Sequence, residues 1–315
     1  MVRKMMAGAL VLVAVSLASG RAFAGKTIAI LLSSSEARYV DPEKSALAVL
    51  RAAGFAEPDT TYVIENAEGN KTKALELAKK LAATPYSLVV TFGTSASVSM
   101  AKELKVSPMV FGYVYDPVET KIVLDWKFPG GNITGVSNKG AVTAVLAPLK
   151  KLGNIKTLAV LFAQGEKNSE AQLKDLQHAQ TETGITVVAV PATHAEDVQH
   201  FLGEALAGSD AVYITGGVPM AAVPTIVDAA AKAHKPSVTH LSDLVDKGVL
   251  FSVSADPVVI GQRTGELCVR VLKGEKPGSL PILLPEKLDV VLNTKTAKAY
   301  ALPPEFLSLV SKKVE

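Results

Sequence analysis

Between residues 27 and 292 short apolar runs alternate with longer amphipathic stretches. Continuous apolar runs bounded by Gly, Pro, Ser or Asn predict buried strands at 27–32, 61–65, 88–92, 109–114, 157–162, 186–190, 211–215, 237–240 and 249–253. Apolar positions recurring at helical spacing predict helices at 42–53, 71–83, 96–104, 142–152, 170–183, 195–207, 220–233 and 258–272. Strand and helix alternating in this way predict an α/β fold, with parallel sheets covered on both faces by helices and short βα loops. The alternation forms two units. The stretch Phe128-Pro129-Gly130-Gly131-Asn132-Ile133-Thr134-Gly135 reads as the crossing between them. Beyond Leu280 come strand-like pieces at 282–284 and 288–292 and a short tail helix, with no signal for the unit they join.

The first 24 residues have a different pattern. Arg3 and Lys4 precede an apolar run from Ala7 to Ala18, and Ala22-Phe23-Ala24 has the small-x-small form of a cleavage site. This reads as a secretory signal, with cleavage expected after Ala24. The apolar run is short of the roughly 20 residues a membrane span needs. No cysteine lies near the cleavage site to take a lipid. The expected address is the periplasm.

Composition then removes several classes of function. With 48% hydrophobic and 20% charged residues the chain can build a full core. Basic residues number 33 against 30 acidic ones, and Arg3, Lys4 and Arg21 account for that excess, so the mature chain is formally neutral. No basic field remains to bind nucleic acid. The single cysteine, Cys268, excludes an internal disulfide and a thiolate metal cluster, and its helical spacing places it on a buried stripe. Enzyme signatures are also missing. Gly93-Thr94-Ser95-Ala96-Ser97 ends in Ser where a nucleophile elbow needs Gly. No phosphate-cradling glycine loop follows a strand, and His178, His194, His200, His234 and His240 have no metal-ligand spacing. A binding protein without cofactor or metal is the expectation.

Ligands of open parallel sheets sit outside the carboxyl ends of the strands, where helices begin. The chain places small polar loops there: Ser33 and Ser34 after the first strand, Thr94 and Ser95 after the third, Asn168 and Ser169 after the first strand of the second unit, and Thr215 and Gly216 after its third. Each can be a helix cap. Several facing one cleft would also receive a carboxylate on free helix N–H groups without needing Lys or Arg. Asp116 and Asp256 each stand before Pro-Val at a strand end, which fits an N-cap with proline at the first helical position. A carboxylate can cap with one oxygen and meet a ligand ammonium with the other. Tyr39, Phe111, Tyr113 and Tyr115 are either a wall for an apolar ligand or ordinary core and edge aromatics.

These residues also carry a resemblance. Gly93-Thr94-Ser95-Ala96, Val110-Phe111-Gly112 leading to Asp116-Pro117-Val118, Pro129-Gly130-Gly131-Asn132-Ile133-Thr134-Gly135-Val136-Ser137, Gly261-Gln262-Arg263-Thr264, Leu272-Lys273-Gly274-Glu275-Lys276-Pro277 and Val291-Leu292-Asn293 follow in order along nearly the whole mature chain. Together they resemble ABC-transporter substrate-binding proteins of the group whose known members bind tryptophan, tyrosine or phenylalanine. The resemblance implies two Rossmann-like lobes with a hinge, of periplasmic-binding-protein type I form. Lobe 1 would hold residues 25–137 with 257–285 returning to it, and lobe 2 residues 138–256, with 286–315 unassigned. It implies an importer component that closes on a small zwitterion, an amino acid, and delivers it to an inner-membrane permease as a monomer. A periplasmic sensor presenting its ligand to a membrane signalling partner is the alternative. Carried over by motif, Thr94, Ser95, Asp116, Asn168 and Ser169 are ligand residues, and position in the cleft adds Ser33, Ser34, Tyr39, Tyr115, Thr215, Gly216 and Asp256. Two segments depart from the pattern. Ser33-Ser34-Ser35-Glu36-Ala37-Arg38-Tyr39 stands where the family usually has a His-Pro stretch. Asp256-Pro257-Val258-Val259 stands where it usually has Asp followed by aromatics.

Overall fold

The computed structural model describes residues 25–315, so the leader and its cleavage site lie outside the described residues. The first lobe is built from β1 (Lys26–Leu32), α1 (Ala37–Ala52), β2 (Thr60–Asn66), α2 (Lys71–Ala82), β3 (Leu88–Phe92), α3 (Thr94–Glu103), β4 (Met109–Val114) and β5 (Ile133–Ser137). The second begins with α4 (Ala141–Ala144), α5 (Leu146–Lys150), β6 (Thr157–Phe162), α6 (Lys167–His178), α7 (Gln180–Thr183), β7 (Thr186–Pro191) and α8 (Ala195–Ala207). It continues through β8 (Ala211–Ile214), α9 (Val223–Lys232), β9 (Ser237–Thr239), α10 (Ser242–Val245) and β10 (Phe251–Ser254). Then follow α11 (Pro257–Leu272), β11 (Asp289–Asn293), α12 (Thr294–Ala297), α13 (Pro304–Leu307) and β12 (Lys312–Val314).

The five strands of the first sheet run parallel in the order β2-β1-β3-β4-β5. The second sheet has the order β12-β11-β10-β9-β8-β6-β7, and only β10 and β11 pair antiparallel. The first five strands of each lobe therefore share one topology, with the second strand outside the first and the other three on its far side. In both, the chain reverses its winding direction beside the lobe's first strand. Successive loops there leave on opposite faces and open a crevice at the carboxyl edge. In the first lobe this falls between β1 and β3, and in the second between β6 and β8.

After β10 the chain leaves the second sheet. α11 packs against α1 of the first lobe. A Cβ on Gly261 would lie 2.2 Å from the Pro42 carbonyl oxygen, so glycine is what lets the two helices meet this closely. Ser45 on α1 also donates a hydrogen bond to the Val258 carbonyl. The chain then crosses back. β11 aligns Leu292 with Phe251 on β10, and β12 aligns Lys312 with Val291, so the tail from Asp289 onward extends the second sheet. No helix among the described residues is long and apolar enough to cross a membrane.

Three local differences from the sequence reading matter for the site. The first helix starts at Ala37, five residues before the proline expected to open it. Pro42 sits in the second turn, where it has no N–H for the Arg38 carbonyl. The glycine-rich segment expected to be the inter-lobe crossing instead ends in β5, whose Ile133 aligns with Met109 on β4, and the crossing comes after Ser137. The helix expected at 142–152 divides at Val145 into α4 and α5.

Candidate functional site

The two crevices face each other across a cavity of about 540 Å³. From the first lobe come Ser33, Ser34, Glu36 and Tyr39 beyond β1, Lys71 and Leu75 on α2, and Thr94, Ser95 and Val98 on α3. The second lobe supplies Gly165 to Asn168 before and at the start of α6, and Gly216 to Met220 after β8. Small-molecule sites are cavities of this size with a few polar groups among apolar walls.

The start of α3 presents helix N–H groups to the cavity. Its N-cap is Gly93 at φ +92°, which has no side chain to satisfy the first helical N–H groups. A Cβ there would lie 2.5 Å from both the Ser33 hydroxyl and the Tyr39 ring, so these side chains close directly over the turn. The Ser33 oxygen accepts the Ala96 N–H at 3.1 Å, and the Ser97 N–H bonds the Gly93 carbonyl. Thr94 and Ser95 thus line the cavity with the two remaining orphan N–H groups of the helix start and with their own hydroxyls.

Of the residues expected to bind ligand, Ser33, Ser34, Tyr39, Thr94, Ser95, Asn168 and Gly216 are brought to this one cavity. Five others are placed elsewhere. Ser169 and Thr215 are buried beneath it. Their hydroxyls bond each other at 2.6 Å, and the Ser169 oxygen also accepts the Ala163 N–H. Together they tie the start of α6 to the end of β8. The Asp116 carboxylate accepts the Val118 and Glu119 N–H groups, and its other oxygen pairs with Lys139. Asp256 caps α11 through the Val258 N–H and is bound at 2.7 Å by Lys312. Both aspartates are thus held by a cap and a lysine away from the cavity. Tyr115 is 2% exposed, and its hydroxyl donates to Asp175 at 2.5 Å. Burial first, and then that carboxylate, push this hydroxyl far above its ordinary pKa.

Tyr113 on β4 and Tyr115 just beyond its end separate for a local reason. Tyr113 has a left-handed backbone, φ +56°, and the β4–β5 register shifts between Phe111 and Val114. Such an irregularity breaks the alternation of faces. Tyr113 turns toward Tyr39 in edge-to-face contact at 6.1 Å, while Tyr115 packs with the second lobe's core. Burial pushes the Tyr39 hydroxyl up to about 12, against the pull of Arg38. It is therefore a neutral wall with a polar tip.

Lys71 and Arg38 of the first lobe each pair with a carboxylate of the second. Lys71 reaches Glu166 at 2.7 Å. Arg38 donates to Asp243 at 2.8 Å with side chains 6% and 11% exposed. Burial would lower the Arg38 pKa, but Asp243 and the neighbouring tyrosines and Glu36 outweigh it and raise it. Glu36, Lys71 and Met220 were not anticipated from sequence. Glu36 stands at the end of the serine loop and Met220 just past the Gly216 turn, so proximity to the expected loops is the only signal either carried.

In the second lobe His240 is 1% exposed and shares a 2.7 Å hydrogen bond with the Tyr213 hydroxyl. Burial, with the Arg38 charge, pushes it down to about 3. It is neutral when folded, whereas the unfolded imidazole protonates near pH 6.5. Above that pH it contributes fully. As pH falls through this range and on toward the folded value, the unfolded state binds the extra proton and stability is lost. The slope reaches about 1.4 kcal/mol per pH unit. Urea midpoints should therefore fall between pH 6.5 and 4.5 in the wild type and fall much less in His240→Asn. Parallel slopes in the two proteins would show that another group carries the effect.

Two α/β lobes of matching topology, with their crevices turned on one cavity, define a two-lobed ligand-binding protein of periplasmic-binding-protein type I form. The chain belongs to the ABC transporter substrate binding protein family, whose pattern matches residues 28–314. This is a family of solute-binding proteins, not of enzymes. A curated relative, a tyrosine-binding protein of Clostridioides difficile, is 23% identical over 260 residues, covering 82% of this chain and 75% of the relative. Among solved structures, an ABC domain from Streptococcus pneumonia in complex with L-Trp is 26% identical, with a TM-score of 0.84 over 92% of this chain and 99% of the other. A conserved domain protein from Vibrio cholerae is 24% identical, with a TM-score of 0.85 and the same coverage.

Proposed function

We propose that this protein is the periplasmic solute-binding component of an ABC importer and that its ligand is a free amino acid with an aromatic side chain. The observation that carries the reading is the start of α3. Its orphan N–H groups and the Thr94 and Ser95 hydroxyls line the inter-lobe cavity beside Tyr39. Such a helix start receives a carboxylate without a lysine, which suits a ligand that also bears an ammonium. Tyr39, Leu75, Val98 and Met220 offer apolar surface to a side chain. Asn168 and Gly216 would close on it from the second lobe, by hinge motion about the crossing segments. The ligands named for the tyrosine-binding relative and the L-Trp complex support the same class. The loaded protein would then engage a membrane permease.

Native mass spectrometry of the exported protein tests this directly. The expected mass is that of a chain beginning at Gly25 with one amino acid bound. In a thermal-shift panel, L-tyrosine, L-tryptophan or L-phenylalanine should raise the melting temperature. A ligand at a hundredfold its Kd stabilises by about 2.7 kcal/mol. Recovery of chains beginning at Met1, or a panel in which no amino acid moves the transition, would refute the reading.

A further inference from the structure

We infer that Glu36 is the acceptor for the ligand's α-ammonium group and so sets the requirement for an amino acid over a simple carboxylic acid. The inference deepens the proposed function and rests on it.

A zwitterion whose carboxylate sits on the start of α3 carries its ammonium on the adjacent carbon. The acceptor must therefore neighbour Thr94 and Ser95. Two carboxylates line the cavity, Glu36 and Glu166. Glu166 is already paired with Lys71 at 2.7 Å. Asp116 and Asp256 are held by their caps and by Lys139 and Lys312, and neither lines the cavity.

Glu36 is engaged by none of these means. It stands at the N-cap of α1, where its side chain makes no capping hydrogen bond. Its backbone N–H is turned to the Ser34 hydroxyl and its carbonyl accepts from Tyr39 and Val40. Among the described residues its carboxylate has no ion pair within 4.0 Å. Its neighbours place it correctly. Tyr39 follows one helical turn later on the same face, and the Tyr39 ring lies against Gly93, the residue before Thr94. The nearby Arg38 cation is turned away to Asp243, so it does not quench Glu36 through a direct bond. Glu36, Tyr39, Thr94 and Ser95 thus line the same cavity and offer one ligand a carboxylate, an aromatic ring and a helix start.

The test is calorimetric, with wild type and Glu36→Gln, using L-tyrosine or L-tryptophan and the desamino analogue of the same compound. The substitution keeps size and removes only the charge. In Glu36→Gln the amino acid should bind about 30-fold more weakly or worse, the usual consequence of truncating one member of a desolvated charge pair. The desamino analogue should lose nothing, since in the wild type it faces an unpaired carboxylate. The preference for amino acid over analogue should therefore collapse. A melting curve of the ligand-free variant like that of the wild type excludes a folding defect. Unchanged affinity for the amino acid, or equal loss for both compounds, overturns the assignment while leaving the functional reading intact. A wild type that binds no amino acid overturns the functional reading, and this assignment falls with it.

Discussion

The amide of the bound amino acid should bind about 30-fold or more weakly than the acid, because a charge-assisted contact made in a desolvated cleft is worth about 2 kcal/mol or more. The reason lies in how α3 begins. Gly93 supplies no capping side chain, Ser33 satisfies the Ala96 N–H, and the Gly93 carbonyl takes the Ser97 N–H. The N–H groups left unbonded at this helix start belong to Thr94 and Ser95, at the positive end of the helix dipole. Facing a carboxylate they make charge-assisted bonds. An amide oxygen offers them no charge, and the amide nitrogen brings N–H groups against N–H groups. Measured at about pH 6, where the α-amino group is protonated in both acid and amide, the difference reports on this end of the ligand alone. Titration calorimetry with L-tyrosine and L-tyrosinamide, or the tryptophan pair, measures it. Similar affinities would place the carboxylate elsewhere and leave Thr94 and Ser95 as an ordinary helix start.

The largest expected loss of stability comes from Arg38→Ala. Arg38 lies on α1 of the first lobe, and Asp243 in the first turn of α10 of the second. Their 2.8 Å contact is nearly closed to solvent, and the second Asp243 oxygen is buried without a hydrogen-bond partner. Removing the guanidinium leaves a buried carboxylate with no compensation, a change that costs about 3–5 kcal/mol. Asp243→Asn should be costly for the converse reason. Replacing both by apolar residues, Arg38→Met with Asp243→Leu, should lose less than the two single changes together, since no charge is stranded. Urea unfolding of the four ligand-free proteins gives the comparison. Single variants with wild-type midpoints would show that the pair contributes nothing across the lobes.

Most of the fold is legible in the chain because it depends on local periodicity. Continuous apolar runs such as Leu88–Phe92 are buried on both faces of a parallel sheet and read as such without a partner. The helix 195–207 is legible from its apolar stripe, and the structure adds Glu196 and Asp197 in its first turn, where Asp197 completes a capping box with His194. Where local signals compete, tertiary contact decides. Pro42 reads as a helix start, yet packing of α1 on α11 through Gly261 holds the helix through it from Ala37. The Pro-Gly-Gly-Asn run reads as a linker, yet the exposed edge of β4 recruits the residues after it as a fifth strand.

The candidate site divides along the same line. Sequence by itself determined the class of loop that forms the cleft: small polar residues after β1, β3 and β6, and a glycine turn after β8, each at a strand's carboxyl end. That follows from chain order, because a parallel sheet has one such edge and its helices begin there. It also fixed the single-sided chemistry of Thr94 and Ser95, since a helix start has its donors whatever packs against it. What a given side chain faces is not local. Asp116 and Asp256 look alike in sequence as caps or ligand groups, and only the folded chain brings Lys139 from the crossing and Lys312 from the tail to occupy them. Tyr115 follows just past the end of the strand that carries Tyr113, and a register shift there sends one to the second lobe and the other to Tyr39. Glu36 carries no motif at all. Its place depends on α1 starting five residues early and on Gly93 letting Tyr39 close over the α3 turn, two long-range contacts that no window along the chain contains.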